Sequence, residues 1–142
     1  MRINKKYQKE FQKEILIRKS HTERFVFNFS FLTKDSKYNL DKSSKNITKL
    51  VKLKLLEKIH QLSQSDIVTV LNWDKSKGLE KLPESQVSLH INSEFKKTGR
   101  YDECDEDYWI FRLSSNGRVI GKKNGNIFYI MAVDASFDLY KH

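Results

Sequence analysis

Proline is almost missing from this sequence: Pro83 stands alone, Cys104 is the one cysteine, and there are five glycines. A single cysteine excludes an internal disulfide and suits a reducing compartment. Four scattered histidines with no Cys-x-x-Cys spacing leave no zinc site. No apolar stretch approaches the roughly 18 residues of a membrane span, and the first twenty residues lack the apolar centre of a signal peptide. A soluble, cytoplasmic protein with no membrane partner is expected. With 142 residues the chain has the size of one domain, able to bury about two-thirds of its unfolded surface. The reading is a single domain over 1–142, in which residues 1–22 form a basic helical arm: Tyr7, Phe11, Ile15 and Leu16 recur near helical spacing among lysines.

Negative charge is scarce in one half only. Residues 1–58 hold 16 Lys/Arg and 6 Asp/Glu, a net +10, whereas residues 59–142 hold 11 and 12, a net −1; together these make the +9 of the whole chain. A field concentrated this way suits a polyanion such as RNA or the ribosome, although a lysine-rich face also serves solubility alone.

Along the chain, Arg24–Thr33 alternates Phe25, Phe27, Phe29 and Phe31 with smaller residues, which predicts a strand whose aromatic line is core or, less simply, a base-stacking platform. From Asn46 to Leu62 the residues Ile47, Leu50, Val51, Leu55, Ile59 and Leu62 mark the apolar face of a helix, capped by Ser44 or Asn46. Lys45, Lys49, Lys52 and Lys58 are assigned to its opposite face as the RNA-binding set. A second helix starts at Ser65 or Asp66 and closes at Trp73, and Gly78 and Pro83 end helical structure. Val87, Leu89 and Ile91 alternate with Ser88, His90 and Asn92, which predicts a strand at 86–92. EFKKTGRYDECDED then reads as a charged loop.

Residues 107–134 place Asn116-Gly117 and Asn124-Gly125 between apolar runs. Asn-Gly favours two-residue turns, so strands near 107–115, 118–124 and 126–134 form an antiparallel meander. The fold class is α+β, with N-terminal helices packed on a four- to five-stranded antiparallel sheet ending in this meander. Arg112, Arg118, Lys122, Lys123 and Tyr129 interrupt the meander's apolar pattern, with His90 on the neighbouring strand, and are expected on its open face. Guanidinium forks hold phosphate oxygens bidentately and a nearby Tyr or His moves a proton, so a phosphodiester site is one reading; a wetted sheet face is the other.

From Arg112 to Tyr140, the order of Arg, a turn, Arg118-Val119-Ile120, a second turn, an apolar strand and a closing LYKH resembles the C-terminal half of RelE/ParE-type toxins, over about residues 105–142. The resemblance implies a RelE-like sheet and a metal-independent endoribonuclease, an mRNA interferase cleaving ribosome-bound messenger RNA through the RNA's own 2′-hydroxyl. It also implies a cognate antitoxin as partner and no cofactor. Carried onto this chain, it makes Arg112 and Arg118 the phosphate-holding residues, Tyr140 and His142 the proton-transfer residues, and Lys122 and Lys123 further RNA contacts.

The acidic run Asp102, Glu103, Asp105, Glu106 and Asp107 has no second acidic cluster to complete a two-metal site, and reads as a solvated loop that pairs with nearby bases. Cys104, set among these carboxylates, should have a raised thiol pKa and no nucleophilic role. Two other classes stay open: a non-enzymatic basic module for nucleic acid or ribosome, and a phage- or plasmid-encoded inhibitor that binds a protein target.

Overall fold

The structure, a computed structural model, describes residues 23–141. The helical arm expected at 1–22, with His21, and the candidate His142 lie outside the described residues.

Five strands form one mixed sheet in the order β1-β5-β4-β3-β2. In chain order, β1 is Val26–Asn28, β2 Leu79–Leu82, β3 Tyr108–Arg112, β4 Arg118–Asn124 and β5 Ile127–Asp134. The helices are α1 (Lys49–Ser63), α2 (Ile67–Leu71), α3 (Ser93–Lys97) and α4 (Arg100–Glu103). The α+β class and the meander β3-β4-β5 agree with the sequence reading. The sheet as a whole is not antiparallel, because β1 runs parallel to β5, pairing Phe27 with Phe128. The helical connection that follows β1 makes this possible, since a parallel pair needs a long crossover. Both edge strands, three and four residues long, are short, which limits edge-to-edge association.

The meander's turns differ from the expected Asn-Gly pairs. Asn124 pairs with Ile127, so the β4–β5 turn is centred on Gly125 and Asn126. Gly125 has φ 57° and Asn126 is not among the residues of positive φ, the pattern of a type II′ turn. The β3–β4 connection is longer, a 3₁₀ turn over Ser114–Asn116 closed by a hydrogen bond from the Leu113 N–H to the Gly117 carbonyl. Between Ile120 and Gly121 the β4–β5 register slips by a bulge. A Cβ on Gly121 would stand 2.4 Å from the Phe128 ring and from the Tyr129 carbonyl, so only glycine allows the strands to approach here.

Both sheet faces are covered. On one, α1 and α2 bury Val51, Leu55, Leu62, Ile67 and Val70 against Phe111, Val119, Phe128 and Ile130. On the other, residues 83–104 and the tail 135–141 bury Tyr108, Ile110, Ile120 and Ala132 with Val87, Leu139 and Tyr140, and bury Met131 and Tyr129 with Phe95. Residues 86–92 are therefore an extended cover strip, tied by the Ser88 N–H to the Leu139 carbonyl, and carry no strand. The charged loop after it folds into α3 and α4, with Phe95 inserted under the sheet. The strand predicted at 24–33 shortens to three residues because the chain crosses the sheet end: Phe25 and Phe27 pack with Phe128, whereas Phe31 packs with Phe95 and Tyr129.

In α1, Thr48 is the N-cap, accepting from the Val51 N–H, in place of Ser44 or Asn46. Ser44 is instead buried, donating to the Asn39 carbonyl at 2.8 Å. Leu50, assigned to the core from its spacing, is 53% exposed and lies with Leu53 and Leu56 on the outer side. The second helix begins after its Asp66 cap as expected but ends at Leu71, before Trp73.

The second face is closed through one buried charge pair. Arg118, 1% exposed, is the register partner of Asp134 and donates to it through Nε at 3.2 Å. Its Nη2 donates to the Tyr140 carbonyl at 2.7 Å. Asp134 also accepts from the backbone N–H groups of Leu139 (3.0 Å) and Asp138 (3.3 Å), so the pair fastens the tail across the sheet. Arg118→Ala leaves Asp134 buried without its cation and should cost about 3 to 5 kcal/mol of stability by urea denaturation. The apolar double variant Arg118→Met/Asp134→Leu should recover most of that loss; a loss under ~1 kcal/mol for the single variant would contradict the buried pair.

Candidate active site and basic cleft

The structure separates the expected phosphate-binding residues by access. Arg112 and Arg118 are register partners on β3 and β4, and Asp134 is the partner of Arg118 on β5, so the three form a row on one sheet face. Arg118 is sealed beneath the tail, with the Tyr140 ring 3.3 Å from its guanidinium carbon and Phe137 at 5.4 Å. A phosphate cannot reach it while that cover is in place. The open sheet face expected from the sequence does not exist, because the irregular segments at 83–104 and 135–141 occupy it.

Lys122 and Lys123 are also corrected from surface contacts to interior ones. Lys122, 1% exposed, donates to the carbonyls of Glu106 (2.6 Å) and Asp105 (3.3 Å), meets Glu84 at 2.5 Å and lies over the rings of Tyr101 and Tyr108. Lys123 is buried against Asp105 at 3.2 Å and over Trp109 at 5.2 Å. The acidic loop thus pairs with buried bases of β4. Cys104, half-buried in that loop, has its thiol pushed up to about 11, first by burial and then by Asp105 and Glu103 against the pull of Lys122. His90 is exposed on the cover strip, and its carbonyl accepts from the Thr33 hydroxyl at 2.7 Å. Among the described residues, no three His, Cys, Asp or Glu side chains gather as a metal-ligating group.

Two of the four expected catalytic residues, Arg112 and Tyr140, are nevertheless joined through a residue that sequence reasoning passed over. Glu80 on β2 is opposite Ile110, two residues inward from Arg112 and on the same face. Its Oε1 accepts a hydrogen bond from the Tyr140 hydroxyl at 3.0 Å and lies 3.9 Å from Arg112 Nη2. The Glu80 side chain is 16% exposed and that of Arg112 35%, so this corner of the sheet stays reachable while the Arg118 end is closed. Burial pushes the Tyr140 phenol up to about 12; the Arg118 charge opposes this and Glu80 adds to it. The signal for Glu80 was slight: four residues between Gly78 and Pro83, too short for a period to show.

Beside Arg112 opens a cleft of about 140 Å³, between the C-terminal half of α1 and the β3–β4 connection. Lys54, Lys58, Gln61, Ser76, Arg112 and Ser114 line it, with Glu57 at the rim in an ion pair with Lys54 at 3.3 Å. Lys58 is held there by hydrogen bonds to Gln61 and the Lys77 carbonyl. Its pKa is lowered, first by burial and then by Lys77. Lys45, Lys49 and Lys52 are exposed elsewhere: nine residues separate Lys49 from Lys58, about half a revolution of the helix, so the expected lysine set does not share a face.

Compared with known proteins, the chain matches no family model, no curated protein and no solved structure. No helix among the described residues is long and apolar enough to cross a membrane.

Two carboxylates report on the covered face through pH. Burial works to raise the Glu84 pKa, but hydrogen bonds from Lys122 and Tyr101 outweigh it and leave it below the ordinary 4.5. Hydrogen bonds from Lys37 and Tyr38 hold Asp138, in the tail, below its ordinary 3.8. A folded-state pKa below the unfolded one stabilises above the unfolded value and is lost as pH falls through the folded one. The urea midpoint should therefore be level from about pH 7 to 5 and fall below about pH 4.5, less steeply in Glu84→Gln. Equal acid sensitivity in that variant would remove Glu84 from the cause.

Proposed function

We propose that the protein is a ribonuclease whose reacting centre is Glu80, Arg112 and Tyr140, cutting RNA by attack of the 2′-hydroxyl on the adjacent phosphorus. The observation that carries this reading is the convergence of a reachable guanidinium and a protonated phenol on one half-buried carboxylate. Arg112 holds the non-bridging oxygens and stabilises the charge that develops on them. Glu80 takes the 2′-hydroxyl proton as the oxygen–phosphorus bond forms. The Tyr140 phenol gives its proton to the departing 5′-oxygen as the other bond breaks. The products are a 2′,3′-cyclic phosphate and a 5′-hydroxyl end. The proton gained by Glu80 returns to Tyr140 along their hydrogen bond, which restores both groups, and no step is assigned to a metal or cofactor. Arg118 acts as a positioning residue, pressed against the Tyr140 ring from within.

The resemblance to RelE/ParE-type toxins extends the proposal to ribosome-bound messenger RNA as substrate, an antitoxin as partner and the cytoplasm as the place of action. The competing reading is a binding module without chemistry, favoured by the exposure of Lys45, Lys49 and Lys52.

Glu80→Gln should lower the cleavage rate of an RNA oligonucleotide by about 10²- to 10⁴-fold, and Arg112→Ala by about 10²- to 10³-fold, both with the folded spectrum retained. The product should carry a 2′,3′-cyclic phosphate by mass spectrometry. Wild-type protein that binds RNA with steep salt dependence and yields no cut product in the presence of ribosomes would establish the binding module instead.

A further inference from the structure

We infer that the cleft beside Arg112 is a binding subsite for the RNA backbone, in which Lys54 and Lys58 hold the phosphate next to the one at Arg112. The inference rests on the ribonuclease reading for what happens at Arg112, but the subsite itself is argued from its own geometry.

Three cations, Lys54, Lys58 and Arg112, face one cleft of about 140 Å³ that also offers the hydrogen-bonding side chains of Gln61, Ser76 and Ser114. The one carboxylate at its rim, Glu57, is already engaged by Lys54. Lys58 is fixed from behind by the Lys77 carbonyl and Gln61, so its ammonium is held in place before a ligand arrives, which reduces the entropy lost on binding. Neighbouring cations gathered in one cleft contact a phosphate backbone without reading its sequence. The outer face of α1 has a different character: Leu50, Leu53 and Leu56 are all exposed there beside Lys49 and Lys52, and no cleft gathers those lysines with Arg112.

The test measures binding of a fluorescent ten-nucleotide single-stranded RNA by anisotropy, in a Glu80→Gln background that prevents turnover. Lys54→Glu with Lys58→Met should weaken binding by about tenfold or more and reduce the slope of log affinity against log salt by about 0.7, the value for the one phosphate they hold. Equal losses from Lys49→Glu with Lys52→Glu would overturn the subsite, since general charge would then suffice. So would unchanged binding in the Lys54/Lys58 variant, or a circular-dichroism spectrum showing that it loses affinity by unfolding. If the cleft variant loses binding as stated while wild-type protein cuts no RNA, the subsite stands and the ribonuclease reading falls. If Glu80→Gln abolishes cutting while the cleft variant binds and cuts as wild type, the reverse holds.

Discussion

The ion pair between Arg118 and Asp134 is the constraint on which the rest of the arrangement depends. Placing both charges in the interior carries a desolvation penalty that their attraction offsets only when the remaining hydrogen-bonding capacity is also used. It is used here: Asp134 accepts two backbone N–H groups of the tail, and Arg118 donates to the Tyr140 carbonyl. Such a pair adds little net stability compared with apolar residues of the same shape, but it permits one path for the tail. That path lays Leu139 and Tyr140 over the sheet. The Tyr140 hydroxyl is thereby carried to Glu80, and Glu80 is what faces Arg112. The arginine taken out of reach is thus the one that sets the geometry of the reachable groups.

The closed sheet accounts for the division of basic residues. Lys122 and Lys123, on the same strand as Arg118, are consumed by Glu84, Asp105 and two backbone carbonyls, so β4 contributes its charge to the fold. The charge left for a ligand lies at the sheet's corner and on α1. There the helix divides its surface in three: a buried stripe on the sheet, an edge with Lys54 and Lys58 toward the cleft, and an outer side where leucines alternate with Lys49 and Lys52.

Much of the fold was legible because it is local. Apolar runs in Tyr108–Arg112, Arg118–Asn124 and Ile127–Asp134 and the glycine-containing turns between them specify the meander, and 3.6-residue spacing specifies α1. The parallel pairing of β1 with β5 is a contact between residues about a hundred positions apart, which no period records. The tail and residues 83–104 have no repeat at all, so nothing in their sequence announced that they would cover the second face. That omission turned two interior bases, Arg118 and Lys122, into expected surface ones, while Lys123 is buried on the first face over Trp109. Leu50 shows the opposite error: the spacing suited the core, but Val51, Leu55 and Leu62 filled the buried stripe and left it outside. In the candidate site, Arg112 stood out as a polar interruption of the meander and Tyr140 was named by the family resemblance alone, while Glu80 was missed because β2 is four residues long.

The central claim is that one arginine of the row meets a phosphodiester and its neighbour does not. Nitrogen-15 spectra of arginine-labelled protein, recorded while a single-stranded RNA with a 2′-deoxy block at the cut position is added, resolve the two guanidinium Nε–H groups directly. The account predicts that the Arg112 resonance shifts progressively with added RNA while that of Arg118 exchanges slowly with solvent and stays where it was. A shift at Arg118 with none at Arg112 would contradict it.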